Sequence, residues 1–313
     1  MISIVVCTFN RAPVLRTMLN SFLRQAHLTE VPHELLIVDN NSDDNTAAVA
    51  QEFSEKGKIK YFLERKQGLS FARNRGIAES KGGFISFLDD DVLVHEDWLA
   101  RVKACFQETD ADVIGGRVSL RFETAPEQWV DGLFRKCLSE VDLGASRRVL
   151  SNGDYLYGAN LSFKKRVFES IGCFDSKAGR REHELLSGEE TEFVRRVVAN
   201  KGKIVYDPDV FVEHLIGTQR LQWQYFVKRA WDDGVTQEFL DPKASRSFQF
   251  LRVCRAAVEY VKAYSIQCAT SLCDKNSYER KLAQFIALRE RSFLAARFAR
   301  FMRVEGDLNQ PSR

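Results

Sequence analysis

Residues 84–93 constrain the fold more than any other part of the sequence. An apolar run from Phe84 to Leu88 leads directly into three acids, Asp89, Asp90 and Asp91. Such a run is typical of a central parallel strand that is buried on both faces. Because an unpaired carboxylate is costly to bury, we expect the acids to surface at the carboxyl end of the strand, where open α/β sheets bind ligands.

The chemistry of the acidic triplet has two explanations. Adjacent carboxylates repel one another unless a cation lies between them, and a divalent metal that carries phosphate oxygens suits such a site. The alternative is an acidic turn that caps the following helix. The triplet alone does not decide between them, so the rest of the chain must be considered.

Strand and helix patterns alternate on both sides of the triplet. The predicted strands are 2–7, 34–38, 60–63, 84–88, 111–120, 155–163, 203–206 and 210–212, the last two flanking Pro208. Amphipathic patterns predict helices over 13–23, 46–53, 71–78, 97–106, 165–171 and 189–198. Residues 123–150 are predicted to be an insertion with partial helix, and 176–186 a charged loop. This alternation predicts an α/β fold with a parallel sheet wrapped by helices.

Composition excludes several classes of protein. The formal net charge of +3 is too close to neutral to indicate nucleic acid as a partner. The seven cysteines are scattered without a Cys-x-x-Cys pair, which favours reduced thiols in the cytoplasm over a disulfide framework or a zinc site. No apolar run approaches the roughly 20 residues of a membrane-spanning helix, and residues 1–7 predict a first strand and not a signal peptide.

The last third of the sequence is richer in basic residues and helix formers. Near its end, apolar residues and arginines alternate around a predicted helix: Phe293, Ala296, Arg297, Arg300 and Phe301. Two interpretations remain open. The segment is either a solvated amphipathic helix packed on the domain or a peripheral contact with the anionic inner surface of the membrane.

A series of short motifs resembles glycosyltransferase family 2 over residues 2–235. In order they are VVCTFNR at 5–11, VDNNS at 38–42, GLSFARNRGI at 68–77, FLDDD at 87–91, GANLSF at 158–163, GCFD at 172–175, GEETEF at 188–193 and VEH at 212–214. The resemblance implies a GT-A fold, a Rossmann-like and mostly parallel sheet flanked by helices. It also implies a nucleotide-sugar half over about 1–115, an acceptor half over about 116–235, and a helical basic extension over 236–313.

The resemblance implies a nucleotide site. Its residues would be Thr8, Asn10, Arg11, Asp39, Arg73, Asp89 and Asp90. Asp39 would accept a hydrogen bond from the uracil imide, because a carboxylate is acceptor-only and leaves other bases unpaired. Arg73 would lie along the nucleotide or its diphosphate, since a guanidinium matches phosphate geometry. The alternatives are a helix cap at Asp39 and a solvated helix face at Arg73.

The resemblance also implies a metal and a catalytic base. Asp91 would bind Mn²⁺ or Mg²⁺ together with the diphosphate, assisted by Asp89 and by His214 after its short strand, and a histidine ligand favours manganese. Glu190 would be the general base and Glu189 an acceptor contact or the rival base. The family usually has Glu-Asp here, so Glu190 departs from its pattern. The alternative is that these acids only favour a helix N-terminus.

The resemblance implies an inverting enzyme that transfers a sugar from a nucleotide-sugar donor, with a UDP-sugar as the first expectation. The acceptor would be a hydroxyl of a glycan or a lipid-linked saccharide, in the synthesis of a cell-surface polysaccharide or glycoconjugate. Gln219 to Trp223 has glutamine where processive synthases have arginine, which favours a non-processive enzyme. Two alternatives remain. One is a catalytically silent nucleotide-sugar-binding partner of a glycan assembly complex. The other is a sugar-phosphate nucleotidyltransferase, although residues 8–11 lack the glycine- and arginine-rich loop of that class.

Overall fold

The computed structural model describes residues 1–55, 59–150, 156, 158–176, 188–240, 246–275 and 277–308. Its chain divides into two compact units. The first contains the described residues of 1–123, 138–182 and 189–216, and the second those of 124–137, 183–188 and 217–313. The helices are α1 Ala12–Phe22, α2 Thr46–Ser54, α3 Leu69–Glu79, α4 Trp98–Thr109, α5 Leu133–Cys137, α6 Lys165–Ile171, α7 Glu189–Ala199, α8 Trp223–Leu240, α9 Arg246–Ala269 and α10 Tyr278–Leu308.

A single sheet organises the first unit. Its strands in the described residues are β1 Ile2–Thr8, β2 His33–Asp39, β3 Ile59–Leu63, β4 Phe84–Asp89, β5 Val92–Val94, β6 Val113–Phe122, β7 Arg148–Val149, β8 Asn160–Lys164 and β9 Ile204–Ile216. The order is β3-β2-β1-β4-β8-β6-β9-β5, with β7 also on β9. β3, β2, β1 and β4 are mutually parallel, as are β6 and β9, whereas β8 runs antiparallel to β4 and β6. The predicted α/β class with a mostly parallel sheet is confirmed.

The parallel half of the sheet forms because its strands are apolar on both faces. Ile4, Val5 and Val6 in β1 are fully buried, as are residues 35–38 in β2. Helices cover both faces of such a sheet, so a continuous apolar run is stable only at its centre. The carboxyl ends of β1, β2 and β4 therefore meet at one edge, with Thr8 beside Asp39 and Cys7 beside Asp89.

The prediction of two short strands around Pro208 is wrong, because β9 runs continuously from Ile204 to Ile216. Its pairing with β6 passes from Gly116–Asp207 directly to Arg117–Phe211, so residues 208–210 form a bulge. Pro208 lies in this bulge, where its missing N–H costs no ladder hydrogen bond. β8 likewise begins at Asn160, later than predicted.

The predicted insertion contains one short helix, α5, and the two-residue strand β7. α5 belongs to the second unit and β7 pairs with β9 in the first. Most of the charged loop predicted over 176–186 lies outside the described residues, as do residues 155 and 157 of the strand predicted over 155–163. The predicted boundary at 235/236 falls within α8.

The second unit is built on aromatic packing. Trp129 lies with its ring centroid 5.3 Å from Phe134 and 5.2 Å from Phe226, while Phe134 lies 5.7 Å from Phe285. These edge-to-face contacts join α5, α8 and α10. Lys281 places Nζ 4.4 Å from the ring of the half-buried Trp223.

The arginine face predicted near the end of the chain is not solvated at Arg297. Its Nε lies 2.7 Å from Oε2 of Glu238 on α8, and both side chains are less than 10% exposed. The side chains of Arg300 and Phe301 lie outside those described. Within the helices that the structure describes, none is long and apolar enough to cross a membrane.

Candidate active site

An acidic turn joins β4 to β5, with Asp89 at the end of β4 and Asp90 and Asp91 between the strands. Asp90 and Asp91 are only 5% exposed, so the expectation that all three acids surface is wrong. Arg11 explains the difference. Its Nη1 lies 2.9 Å from Oδ1 of Asp90 and 2.6 Å from Oδ2 of Asp91, so that a protein cation compensates the buried charge.

The charge of the turn exceeds what Arg11 neutralises. Burial raises the pKa of Asp90 to about 6, against the opposing effect of Arg11 and with a further rise from Asp91. Burial also raises the pKa of Asp89, again with Asp91 adding to the rise. The acids in turn raise the pKa of Arg11, Asp90 most strongly. Such a turn favours the approach of a further cation.

His214 faces this turn from within β9, not from a strand end as the sequence indicated. β5 and β9 are antiparallel with Val92 opposite His214. Its Nδ1 lies 2.8 Å from the carbonyl oxygen of Leu138, which can only accept, so Nδ1 carries a proton. Nε2 lies 3.1 Å from Oδ1 of Asp91. In the neutral ring, the lone pair of Nε2 and the carboxylate oxygen of Asp91 therefore lie side by side. Histidines that bind metals are commonly oriented in this way, by a hydrogen bond from the other ring nitrogen to a carbonyl oxygen.

These residues fit part of a metal shell. Asp91 and His214 offer one oxygen and one nitrogen, a donor set suited to Mn²⁺. In the described residues no group of three or more histidine, cysteine or acidic side chains is arranged to hold a metal ion. The remaining ligands would have to come from a bound molecule, as is usual for a metal that binds phosphate oxygens.

Asp39 is held rigidly at the end of β2. Its Oδ1 accepts a hydrogen bond from the backbone N–H of Ser42 at 2.8 Å, and its Oδ2 accepts one from the hydroxyl of Tyr61 at 2.9 Å. Burial, together with the bond to Asp39, raises the pKa of Tyr61 to about 12, so this hydroxyl stays a donor. Neither Tyr61 nor Ser42 was among the predicted site residues.

Thr8 and Asn10 lie at the same edge in different environments. Thr8 ends β1 and is 3% exposed. Asn10 is exposed in a left-handed conformation with φ of 52°, which asparagine tolerates. Its Oδ1 accepts the N–H of Asp43 at 2.9 Å and its N–H donates to Ser42 Oγ at 2.9 Å. Asn10 thus fixes the loop that follows Asp39.

Arg73 lies among acids, not along an open groove. Its Nη1 is 2.7 Å from Oε1 of Glu189 and 2.7 Å from Oε1 of Glu190, and its Nη2 is 3.7 Å from Oδ1 of Asp89. The side chain is 3% exposed. Burial lowers the pKa of Arg73, but Glu190 and Glu189 more than offset it and the net direction is upward. The alternative interpretation, in which Arg73 is part of a solvated helix face, is therefore wrong.

The first turn of α7 contains three acids that behave differently. Glu192 pairs with Arg196 one turn later, with Oε1 2.8 Å from Nε. Glu189 and Glu190 instead converge on Arg73 from α3. Stabilisation of a helix N-terminus is thus a sufficient explanation for Glu192 only. Glu189 is 1% exposed and Glu190 15% exposed in their side chains, so Glu190 is the more accessible.

The structure therefore brings the predicted residues other than Thr8, Asn10 and Asp39 into two groups joined through Asp89. Asp89 belongs to the acidic turn and also lies beside Arg73. Sequence reasoning missed the acidic partners of Arg11 and Arg73, the role of Tyr61, and the close approach of Gly158 to Arg73. Of these features, only Gly158 could have been noticed in the sequence, because it is the first residue of the motif at 158–163.

Comparison with known proteins gives a consistent result. The family model described as "Glycosyl transferase family 2" matches residues 3–174, more than half of the chain. A glucosyl-dolichyl phosphate glucuronosyltransferase of Haloferax volcanii is 26% identical over 259 residues, covering 78% of this chain and 79% of that protein. The succinoglycan biosynthesis protein ExoM of Rhizobium meliloti is 26% identical over 288 residues, covering 88% of each chain.

A solved structure supports the fold. The mannosyltransferase PcManGT of Pyrobaculum calidifontis, in complex with GDP-Man and Mn²⁺, superposes with a TM-score of 0.58. The match covers 96% of this chain and 86% of that one at 15% identity, so it is similar in fold alone.

Proposed function

The chain belongs to glycosyl transferase family 2 and is a glycosyltransferase, and from that premise we propose that it is an inverting, non-processive enzyme that uses a nucleotide-sugar donor. One observation carries the proposal. Asp91 and His214 converge at 3.1 Å on the edge of the sheet where the parallel strands end. That edge of an α/β sheet is the usual place of a nucleotide, and the buried acids favour a cation that would hold its diphosphate.

We propose that the donor is a UDP-sugar. Asp39 offers only acceptor oxygens, which suits the N–H of a uracil imide. Tyr61 and Ser42 fix that carboxylate in one orientation, so a base without the matching donor would leave it unpaired. Thr8, Asn10 and Arg11 would complete the nucleotide site.

Asp91 and His214, with Asp89 assisting, would hold Mn²⁺ or Mg²⁺. When bound, the ion would supply positive charge against the diphosphate as it leaves. Arg11 already pairs with Asp90 and Asp91, so it keeps the turn folded and its carboxylates oriented. Oδ1 of Asp91, which lies 3.1 Å from Nε2 of His214, is the oxygen that would contact the ion.

Glu190 would act as the general base. Its carboxylate would accept the proton of the acceptor hydroxyl as the oxygen forms a bond to the anomeric carbon from the face opposite the leaving group. The bond from the anomeric carbon to the phosphate oxygen breaks at the same time, and its electron pair leaves with the nucleoside diphosphate. Glu189 is the weaker candidate because it is almost completely buried against Arg73.

The acceptor would be a glycan or a lipid-linked saccharide in the synthesis of a surface polysaccharide or glycoconjugate. The names of two relatives support this acceptor class. One is a glucosyl-dolichyl phosphate glucuronosyltransferase, and the other is a succinoglycan biosynthesis protein. A cytoplasmic location and a peripheral contact of residues 280–313 with anionic membrane remain predictions. Equal sedimentation with anionic vesicles before and after removal of that segment would contradict the membrane contact.

The experiment is a donor panel with Mn²⁺, measuring release of nucleoside diphosphate with and without saccharide acceptors. We expect one UDP-sugar to be consumed, and we expect Asp91→Ala to abolish this while the matched control Asp209→Ala, at an exposed acid, does not. Binding of nucleotide without consumption of any donor would indicate the silent binding partner. Formation of pyrophosphate from a nucleoside triphosphate and a sugar 1-phosphate would indicate a nucleotidyltransferase.

A further inference from the structure

Arg73 carries a role that the transfer reaction alone does not assign. We propose that Arg73 is a positioning residue, which holds the Glu190 carboxylate in the orientation that the base requires and fixes it relative to Asp89. This inference rests on the proposed function, in which Glu190 accepts the proton of the acceptor. It would replace the contact with the nucleotide or its diphosphate that the resemblance implied for Arg73.

The contacts of Arg73 support this assignment. A single nitrogen, Nη1, lies 2.7 Å from a carboxylate oxygen of Glu189 and 2.7 Å from one of Glu190. Two carboxylates that close repel each other without a cation between them. The other terminal nitrogen lies 3.7 Å from Asp89 on the donor side. Arg73 is therefore the cation common to the acids of both halves of the site.

The surroundings of Arg73 fix its orientation. The guanidinium carbon lies 5.8 Å from the ring centroid of Phe87 and 5.6 Å from that of Phe174. Stacking on aromatic rings together with a 3% exposed side chain leaves the guanidinium little freedom to turn. The guanidinium therefore offers little exposed surface to a diphosphate.

Gly158 is the second observation. A Cβ atom built on Gly158 would lie 2.1 Å from Nη2 of Arg73 and 2.2 Å from Oε1 of Glu190. The backbone at Gly158 thus forms the surface on which this ion pair rests. Gly158 is not among the glycines with positive φ, and the atoms nearest to the added Cβ all belong to the ion pair. Gly158→Ala therefore displaces the pair without changing a charge.

The experiment compares Gly158→Ala, Arg73→Lys and the double variant Arg73→Met/Glu189→Gln. The double variant is used because Arg73→Met alone would remove the guanidinium that lies 2.7 Å from the buried Glu189 carboxylate and could prevent folding. The controls are Gly83→Ala, where a Cβ meets nothing within 4 Å, and Arg75→Met, whose partner is Glu79 in the same helix. The readouts are kcat and KM for the donor, the Kd for UDP with Mn²⁺, and the melting temperature.

We expect Gly158→Ala and Arg73→Lys to lower kcat at least tenfold, while the KM for the donor and the Kd for UDP stay within about twofold of wild type. The double variant should melt close to Glu189→Gln but turn over at least 100-fold more slowly, within the usual range for a general base. Equal turnover of the double variant and Glu189→Gln would overturn the proposal, since Arg73 would then only neutralise Glu189. Parallel loss of UDP affinity would also overturn it and return Arg73 to the nucleotide site.

Failure of the proposed function would be distinguishable. If wild-type protein binds UDP but consumes no donor, transfer is disproved, and the position of Glu190 is decided by a double-mutant cycle. Effects of Arg73→Lys and Glu190→Gln on the free energy of unfolding that are not additive would support the contact, because coupled residues deviate from additivity. Additive effects would overturn it.

Discussion

His214 and Asp91 approach each other across the antiparallel pair β5–β9, with Nε2 of the histidine 3.1 Å from Oδ1 of the aspartate. The Leu138 carbonyl, 2.8 Å from Nδ1, holds the ring in this orientation. In the proposed function these two side chains share a metal ion.

His214→Ala should weaken binding of Mn²⁺ in the presence of UDP at least tenfold, because one of the proposed protein ligands is lost. Electron paramagnetic resonance of free Mn²⁺ measures this without any turnover. His27→Ala is the control, since His27 is a surface residue paired with Glu30. Mn²⁺ affinity that is unchanged in His214→Ala would remove the histidine from the metal site.

Glu190→Gln should lower turnover by roughly 10²–10⁴-fold, the usual contribution of a general base. The amide keeps the size of the side chain but cannot take a proton from the acceptor. Affinity for UDP should stay the same, which isothermal titration calorimetry would measure.

Glu192→Gln is the matched control on the same helical turn, since Glu192 pairs with Arg196 and not with Arg73. Equal turnover of Glu190→Gln and Glu192→Gln would show that the base lies elsewhere.

Tyr61→Phe should weaken the binding of UDP by roughly fivefold to tenfold, corresponding to about 1 kcal/mol for one hydrogen bond. The change removes the donor that holds Oδ2 of Asp39 at 2.9 Å and lets the carboxylate rotate. Calorimetric titration with UDP and with CDP would test it, and the loss should be larger for UDP. Tyr225→Phe, in the other unit, serves as the control, and unchanged UDP affinity in Tyr61→Phe would contradict the role of Tyr61.

Arg297→Met should lower the free energy of unfolding by about 3–5 kcal/mol, because it removes the buried guanidinium that pairs with the buried Glu238 carboxylate at 2.7 Å. Arg297→Met/Glu238→Met should recover most of this loss, since neither charge then needs compensation. Chemical denaturation followed by circular dichroism measures both.

The exposed pair Lys262–Glu259 provides the contrast. Its disruption by Lys262→Met should cost less than about 1 kcal/mol. A similar loss for both pairs would argue against the burial of Arg297.

Thiol labelling should separate the cysteines into two groups. Burial raises the pKa of Cys7, Cys105 and Cys137 to about 12, so at pH 8 their thiolate fraction is on the order of 10³ below that of an ordinary thiol. Three exposed thiols should react quickly in the folded protein, namely Cys254, Cys268 and Cys273, whereas partial burial raises the pKa of the Cys173 thiol and should slow its reaction. Peptide mapping after brief alkylation identifies them.

The same shifts predict how stability depends on pH. A thiol with a raised folded pKa stabilises the fold below its ordinary value near 9, and this contribution is lost as the pH rises towards 12. The free energy of unfolding should therefore decrease over that range. Rapid alkylation of Cys105 in native protein at pH 8 would contradict its burial.

The sequence predicted the parallel half of the sheet well because buried parallel strands are apolar without interruption. β1, β2 and β4 were each predicted to within about two residues. The motifs identified the family, which the match of its model confirms. The motifs also selected acids that lie close together in the structure. Asp89, Glu189 and Glu190 all lie beside Arg73.

The counter-ions of those acids could not be predicted. Arg11 and Arg73 lie far along the chain from Asp90 and Glu190, and only the packed sheet brings each guanidinium to its carboxylates. Local patterns report which face of a helix is buried, but not which charge a distant segment supplies. For the same reason the expectation of exposed acids failed at Asp90.

The bulge at residues 208–210 determines which side chain of β9 meets the acidic turn. Because of it, Leu120 of β6 pairs with His214, whereas uninterrupted pairing from Gly116–Asp207 would place Phe211 there. Side chains alternate along a strand, so the length of the bulge sets the phase of everything beyond it. A bulge shorter by one residue would place Glu213 opposite Leu120. The number of residues in the bulge, and not their chemistry, therefore determines which side chain of β9 faces the acidic turn.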